Sequence, residues 1–539
     1  MLRRLQGPHL VLAAILVVAL VLRAWSLRHG LPFVYNVDEE QHFVSKAARL
    51  FSAGDLDPGY FENPPGLTYL LWVAFAVRYA GDDVRSLFHH DPGGVYLTGR
   101  MVVALLGTGV VAATYALAAR LGHDRRAGLV AAALMAVGFI PVWYSKLALN
   151  DMPAVLPATL AVVFSLRHLD EGRRRDLLLA GLMAGLAAGT KYTAGAAFLA
   201  VIVAAAPRLR MLAGAALAAV AGAVLLNPWF VLDPGRVLDA MRSQGERSSV
   251  AKVGGSEMPA LLSYLDSFAW GLGLPAALLA VAGLVLAARA GPRRLITAAL
   301  PAFVLVVVIS LFDRAFARWA LPAYPLVAAL AGLAVARGAA RLRWPAATAA
   351  VAGALACLPG VLASVHLDRV LSRTDTRLEA RRYLLAETAP GTRIVIEPTL
   401  PSRLTTGVRG ARSFSVLVRG FDVQPRPADV DVYRKLGACY VVGQHTYRQR
   451  MEARDRALSD AYYRRLQEAS DRVRTFSPFR SGTSVPLHFD WSFDYYPTEY
   501  VRPGTDVTIY HLAGCTPSTT SFPPSFRNPY RDSLGDTAV

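Results

Sequence analysis

The sequence predicts a polytopic α-helical membrane protein of about eleven transmembrane helices, followed by a small α/β domain outside the membrane. Three observations carry this. Of the 539 residues, 54% are hydrophobic, and the mean hydropathy is +0.35, too apolar for an ordinary soluble chain. The apolar residues come in long blocks over the first 365 positions, as membrane spans require. After Val365 the composition turns polar, and strand-like runs replace the blocks.

The net charge of +18 does not point to nucleic acid. Much of it lies in short loops between apolar blocks, where arginines set the orientation of the spans. Only five of the basic residues are Lys; the other 52 are Arg. Cys357, Cys439 and Cys515 form neither a metal motif nor a disulfide framework. Cys439 and Cys515 are expected as isolated thiols, a bond between them requiring an oxidising compartment.

In chain order, a basic start (MLRRLQGPHL) precedes the first apolar block. No small-x-small cleavage site follows it, so an uncleaved first span is expected. The spans fall at 10–27, 95–119, 127–143, 152–166, 177–190, 192–206, 211–226, 264–288, 295–312, 319–336 and 345–365. With the N-terminus in the cytoplasm, every inner loop carries arginines, among them Arg120, Arg125, Arg126, Arg173, Arg174, Arg175, Arg293 and Arg294, while outer ends carry few. The apolar segment 67–80 would invert every later loop if it crossed the membrane. It is therefore predicted as a surface helix entered through Pro64–Pro65. The first outer loop is then 28–94. A second outer loop, 227–263, has a polar, Gly-rich centre suited to movement over a substrate. The membrane domain is assigned to 1–365 and an extracytoplasmic α/β domain to 366–514, with a helix at 376–388 and strands at 393–396, 439–442 and 507–511. The Pro-, Ser- and Thr-rich tail, 515–539, is expected to be disordered.

The stretch 36–66 organises the rest. It opens with Asp38, Glu39 and Glu40, directly after the first span. Acids at a bilayer are costly and call for a reason. A carboxylate there serves as general base on a hydroxyl or amine, or binds a divalent cation; the bland alternative is a solvated acidic loop. Asp151, at the outer mouth of a span, is a second carboxylate, and Asn150 or Asp151 before Met-Pro also suits a helix start. Lys146 and Lys191 flank outer helix ends, and Arg318 is a further outer cation. Each suits a lipid phosphate or snorkelling to the interface. The His89-His90-Asp91 cluster has poor spacing for a metal. No P-loop and no GxGxxG opening a βαβ unit appears, which disfavours nucleotide chemistry.

Together these residues resemble the GT-C glycosyltransferases, within them the group of protein O-mannosyltransferases (glycosyltransferase family 39) and lipid A aminoarabinose transferases. The motifs that carry the resemblance are Asp38-Glu39, Glu62-Asn63-Pro64-Pro65-Gly66, Asn150-Asp151-Met152-Pro153, Gly189-Thr190-Lys191, Asn227-Pro228-Trp229, and Arg318 ahead of Pro322 and Pro325. Their order and spacing agree over about residues 1–365. The resemblance implies a polyprenyl-phosphate-linked sugar as donor, held among the helices of a plasma-membrane enzyme, and an extracytoplasmic acceptor. It implies Asp38 as the base that activates the acceptor, with Glu39 supporting it or helping to bind a metal. Asp151 would position acceptor or sugar. Lys191 and Arg318, with Lys146, would hold the donor phosphate, and Glu40, His42, Glu62 and Asn63 would support the acceptor or the loop. Direct attack on the anomeric carbon inverts configuration. The one cofactor candidate is a divalent cation on Asp38 and Glu39. Aminoarabinose transferases carry Lys where this chain has Asn63, which favours a hexose such as mannose. Two other classes would use outer acids and cations: a flippase of lipid-linked sugars and a non-catalytic envelope-assembly protein. A transporter would show an internal repeat and mid-membrane charges; no repeat is visible.

Overall fold

The structure, a computed structural model, describes residues 2–32, 34, 36, 38–52, 54–80, 83–250, 258–389, 392–398, 415–418, 423–485 and 496–515. The segment expected as a disordered tail lies outside them from residue 516 on.

All eleven apolar segments are helical over most of their length. By length and apolarity six helices suffice to cross a membrane, or seven with one bent pair. The others are shorter or broken, so the count of eleven is not reached on that criterion. The 264–288 segment differs from a single straight span. It splits into Ala260–Leu272 and Leu274–Arg289, bent by 114°. The break falls at Gly273, whose φ of +104° is a conformation that side chains disfavour. The segment expected as a surface helix is helical over Gly66–Arg78. Its 13 residues span about 20 Å, short of the ~30 Å hydrocarbon core.

Small residues set how closely the helices approach. Gly181 and Gly185 of helix Arg174–Thr190 face the backbone of Ala215 and Ala219 on helix Leu209–Leu226, where a Cβ has no room. This i, i+4 spacing of glycines is how membrane helices approach without a hydrophobic drive between them.

Buried charges close the bundle near its first helix. Arg23 donates to the carbonyls of Met135 (3.0 Å) and Ala136 (2.9 Å). Those carbonyls belong to the last turn of helix Arg125–Val137 and would otherwise lack partners. Lys146 Nζ lies 2.7 Å from Asp368 Oδ1 on the last membrane helix, Pro345–Leu371, and both side chains are fully buried.

The C-terminal unit is a five-stranded mixed sheet, ordered β2 (Ser415–Val418), β1 (Arg393–Ile396), β3 (Tyr440–Gln444), β5 (Val507–Leu512) and β4 (Ser470–Phe476). β1 runs parallel to β2 and β3, while β5 is antiparallel to β3 and β4. The strand period of two sends Ile394 and Ile396 to the face covered by helix Thr376–Glu387, and Val395 to the face covered by Arg456–Glu468 and Pro427–Lys435. Cys439 and Cys515 are disulfide-bonded, with Cα atoms 5.3 Å apart. This corrects the expectation of isolated thiols. The strand pairing brings together two residues that stand 76 positions apart in sequence.

Candidate functional site

Asp38 precedes a short π-helical turn, Glu39–Val44, and its backbone N–H donates to Asn36 Oδ1 at 3.1 Å. Such turns are rare and concentrate at functional positions. Here the turn divides the acidic pair. Asp38 stays about one-third exposed, whereas the Glu39 side chain is wholly buried.

Asp38 Oδ2 accepts from Arg318 Nη2 at 3.1 Å. Arg318 belongs to the 3-10 turn Ala317–Ala323, and its Nε lies 4.0 Å from Asp151 Oδ2. Asp151 in turn pairs with Lys191. Asp151 is the first residue of helix Asp151–Glu171, where backbone N–H groups favour negative charge. Lys191 ends helix Arg174–Thr190, where free carbonyls favour positive charge. Residues spaced over 280 positions thus form one alternating chain of charges: Asp38, Arg318, Asp151 and Lys191.

The stretch that precedes the double proline is built into the same place. Asn150 does not cap its helix. Its amide donates to Asn63 Oδ1 (3.1 Å) and to the Thr190 carbonyl (2.9 Å), while the Asn63 amide donates to the Tyr60 hydroxyl (2.8 Å). Gly66 lies against the backbone of Gly189, and a Cβ there would stand 2.5 Å from the Gly189 oxygen. Gly66→Ala is therefore expected to cost about 1–3 kcal/mol, read as a lowered midpoint in thermal denaturation.

His42 stacks on Tyr60 with ring centroids 4.5 Å apart, and its Nε2 is 3.7 Å from Asp38 Oδ1. Burial lowers the His42 pKa against the pull of Asp38, so the ring is neutral at pH 7. Burial also raises the Tyr60 pKa, which keeps its hydroxyl protonated. Glu62 pairs with Arg247 at 2.6 Å. Arg247 lies on helix Pro234–Ser248, within the segment 227–263 expected as the second outer loop. Arg236 of that helix bonds Asp57 at 2.6 Å and covers the Phe61 ring at 4.8 Å. The two segments expected as outer loops are thus docked on each other; positions 251–257 lie outside the described residues. Glu40 is half-buried on the π-helical turn.

Two expected site residues are placed elsewhere. Glu39 faces Arg100, accepting from its Nε (2.7 Å) and Nη2 (2.8 Å), and Oε1 also accepts from the Ala148 N–H (3.0 Å). Arg100 Nη1 donates to the carbonyls of Leu27 and His29, both at 2.8 Å. Lys146 is bound to Asp368 and to the Trp25 carbonyl (2.6 Å), apart from the Asp38–Lys191 chain. Sequence reasoning missed Arg100, a charge within an apolar span, which is the kind of residue that calls for a named partner. It also missed Asp368, three positions past the last predicted span. Asp38 and Glu39 do not present two open carboxylates to a cation, and among the described residues no group of three or more His, Cys, Asp or Glu is placed to hold a metal.

Inward from the charges, a narrow crevice enters the membrane domain between Thr159, Thr193, Pro301, Leu305, Pro322 and Leu326. At the other end of helix Asp151–Glu171, Asp170 pairs with Arg120 (3.4 Å) and with Arg294. The 21 residues of that helix span about 30 Å, one bilayer core. The charge chain and the Arg-rich loops therefore occupy opposite ends of a membrane-thick bundle.

Comparison with known proteins agrees with this architecture. Residues 13–226 match the family described as dolichyl-phosphate-mannose-protein mannosyltransferase. ArnT from Cupriavidus metallidurans bound to undecaprenyl phosphate superposes with a TM-score of 0.56 at 16% identity, over 94% of this chain and 98% of that one. Its apo state gives 0.54 at 19% identity, over 80% and 92%. The apo oligosaccharyltransferase of Archaeoglobus fulgidus gives 0.52 at 14% identity, over 90% and 75%. At these identities the likeness is one of fold. Among curated proteins none matches the chain significantly in sequence.

Proposed function

We propose that this chain, with the fold of the GT-C glycosyltransferases, is an inverting glycosyltransferase that moves a sugar from a polyprenyl-phosphate donor to an extracytoplasmic hydroxyl. The observation that carries the reading is the charge chain: Arg318 lies 3.1 Å from Asp38 and 4.0 Å from Asp151, which also holds Lys191. This is a base beside two cations, as displacement of a phosphate requires. The acceptor hydroxyl gives its proton to Asp38 as its oxygen attacks the anomeric carbon. The carbon–phosphate oxygen bond breaks, and the phosphate leaves with its charge met by Arg318 and Lys191. Asp151 positions Lys191, and Glu39 with Arg100 positions Asp38. The crevice beyond Thr193 and Pro322 suits the lipid chain.

Two features support an outer location of the site. Arginines gather at the opposite end of the bundle, as the positive-inside rule requires of the cytoplasmic face. The Cys439–Cys515 bond suits an oxidising compartment for the 366–514 domain. The fold shared with an ArnT structure bound to undecaprenyl phosphate supports a lipid phosphate in the donor.

Purified protein in nanodiscs, given undecaprenyl-phosphate mannose and other defined lipid-phosphate sugars with candidate acceptors, is expected to release lipid phosphate and glycosylate an acceptor. Failure to consume any of these donors would overturn the reading. Within the same assay Arg318→Lys keeps the charge but loses the forked guanidinium. Loss of one charge-assisted hydrogen bond, about 1.5 kcal/mol, lowers kcat/KM for the donor roughly tenfold.

A further inference from the structure

The C-terminal domain contains a second concave site that the transfer chemistry does not use. Its volume is about 260 Å³. It lies at one edge of the sheet, where β1, β3 and β4 end and β5 begins. β3 contributes Gly443 and Gln444, with His445 and Arg448 just beyond; β4 contributes Thr475 and the following Ser477; Asp506, Thr508 and Tyr510 come from the start of β5.

The back of the pocket is closed by a buried carboxylate. Glu397, directly after β1, is fully buried. It accepts from the Tyr463 hydroxyl at 2.8 Å and from the Gln444 N–H at 2.9 Å. The segment that leads into β5 reaches the membrane domain: the Tyr496 ring lies 5.5 Å from that of Trp143, and the Pro497 carbonyl is 3.1 Å from His366 Nε2 on the last membrane helix. The pocket, which Asp506 lines, therefore opens beside the segment that joins this domain to the membrane helices.

Its lining selects a chemical class. It holds one cation, Arg448, and one carboxylate, Asp506. Arg448 is already paired with Glu452 at 2.7 Å and stacked over the Tyr463 ring at 4.8 Å. An anionic ligand would meet Asp506, and an apolar one would strand the polar wall. The remaining lining presents the Ser477 hydroxyl, the Thr475 and Thr508 hydroxyls, which bond each other at 3.0 Å, His445, and the Gln444 side chain, whose amide donates to the Pro398 carbonyl. Burial lowers the His445 pKa, so this ring is neutral at pH 7. Its buried Nε2 has no partner among the described residues. Mixed donors and acceptors on planar side chains beside aromatic rings match a ligand that presents many hydroxyls and a weakly polar ring face. The volume falls just below the ~300–1,000 Å³ of drug-sized sites, which suits a single sugar ring.

We infer that this pocket binds a neutral saccharide. Under the transferase reading, on which this part rests, it holds a sugar of a glycan-bearing acceptor beside the membrane.

Full-length protein in nanodiscs is titrated with methyl mannoside, methyl galactoside, methyl glucoside and their neutral trisaccharides, using saturation-transfer NMR and calorimetry. At least one is expected to bind, and Asp506→Asn and Thr508→Val each weaken it about tenfold or more, the worth of one or two hydrogen bonds. Binding of undecaprenyl phosphate and the thermal midpoint stay unchanged in both variants. The inference is overturned if no neutral saccharide binds, if binding survives both substitutions, or if only anionic sugars such as glucuronate bind. Saccharide binding without donor turnover would leave this site standing and remove the transferase reading; turnover without saccharide binding would do the reverse.

Discussion

Asp38→Asn is expected to lower sugar transfer from the lipid-phosphate donor by about 10²–10⁴-fold, the usual contribution of a positioned general base. The amide is nearly isosteric and still accepts a hydrogen bond from Arg318, now 3.1 Å away. It cannot take the acceptor's proton. The side chain is about one-third exposed, so the change removes no core packing, and stability should move by no more than about 0.5 kcal/mol. The loss should fall on kcat more than on donor KM, because Arg318 and Lys191 remain to hold the phosphate. Steady-state turnover with a fixed donor, alongside thermal denaturation, separates the outcomes. Transfer at the wild-type rate would remove Asp38 as base and with it the mechanism proposed above. A stable protein that still binds donor yet fails to turn over would support it.

The contrast between Asp38 and its neighbour shows what was legible in the sequence. The acidic pair after the first span, the double proline and the later Asp, Lys and Arg stood out because charges at a membrane surface need partners, and the structure joins four of them. The sequence did not reveal that one residue of the pair faces out and the other in. A π-helical turn decides this, and no local pattern in EEQHFV announces it. Lys146 misled for a related reason. Its place at an outer helix end suits a phosphate contact, but its partner, Asp368, lies 222 positions later, beyond any periodicity. The spans were readable from apolar blocks. The bend at Gly273 was not, since LGLP reads as readily as a tolerated interruption. Strands β1, β3 and β5 were visible as short β-branched runs. The Cys439–Cys515 bond was not, because pairing of β3 with β5 is what brings the cysteines together.

Arg100→Met is expected to cost about 3–5 kcal/mol, because it leaves the Glu39 carboxylate buried without its cation. Glu39 has no exposed surface, and besides Arg100 it keeps the Ala148 N–H. The carbonyls of Leu27 and His29 lose their donor as well. These sit where the first helix gives way to the outer loop, so the entry to the Asp38 turn loosens at both ends. Thermal denaturation in nanodiscs should show a much lower midpoint, and transfer should fall with it as Asp38 leaves its contact with Arg318. Adding Glu39→Gln removes the stranded charge and should recover part of the stability, the signature of coupled partners in a double-mutant cycle. Glu39→Gln alone tests the role given to this residue. If Glu39 only positions Asp38, the single variant loses stability and retains more transfer than Asp38→Asn. If transfer falls as far as in Asp38→Asn with the midpoint unchanged, Glu39 takes part in the chemistry, and the buried pair with Arg100 belongs to a resting state that opens when substrate binds.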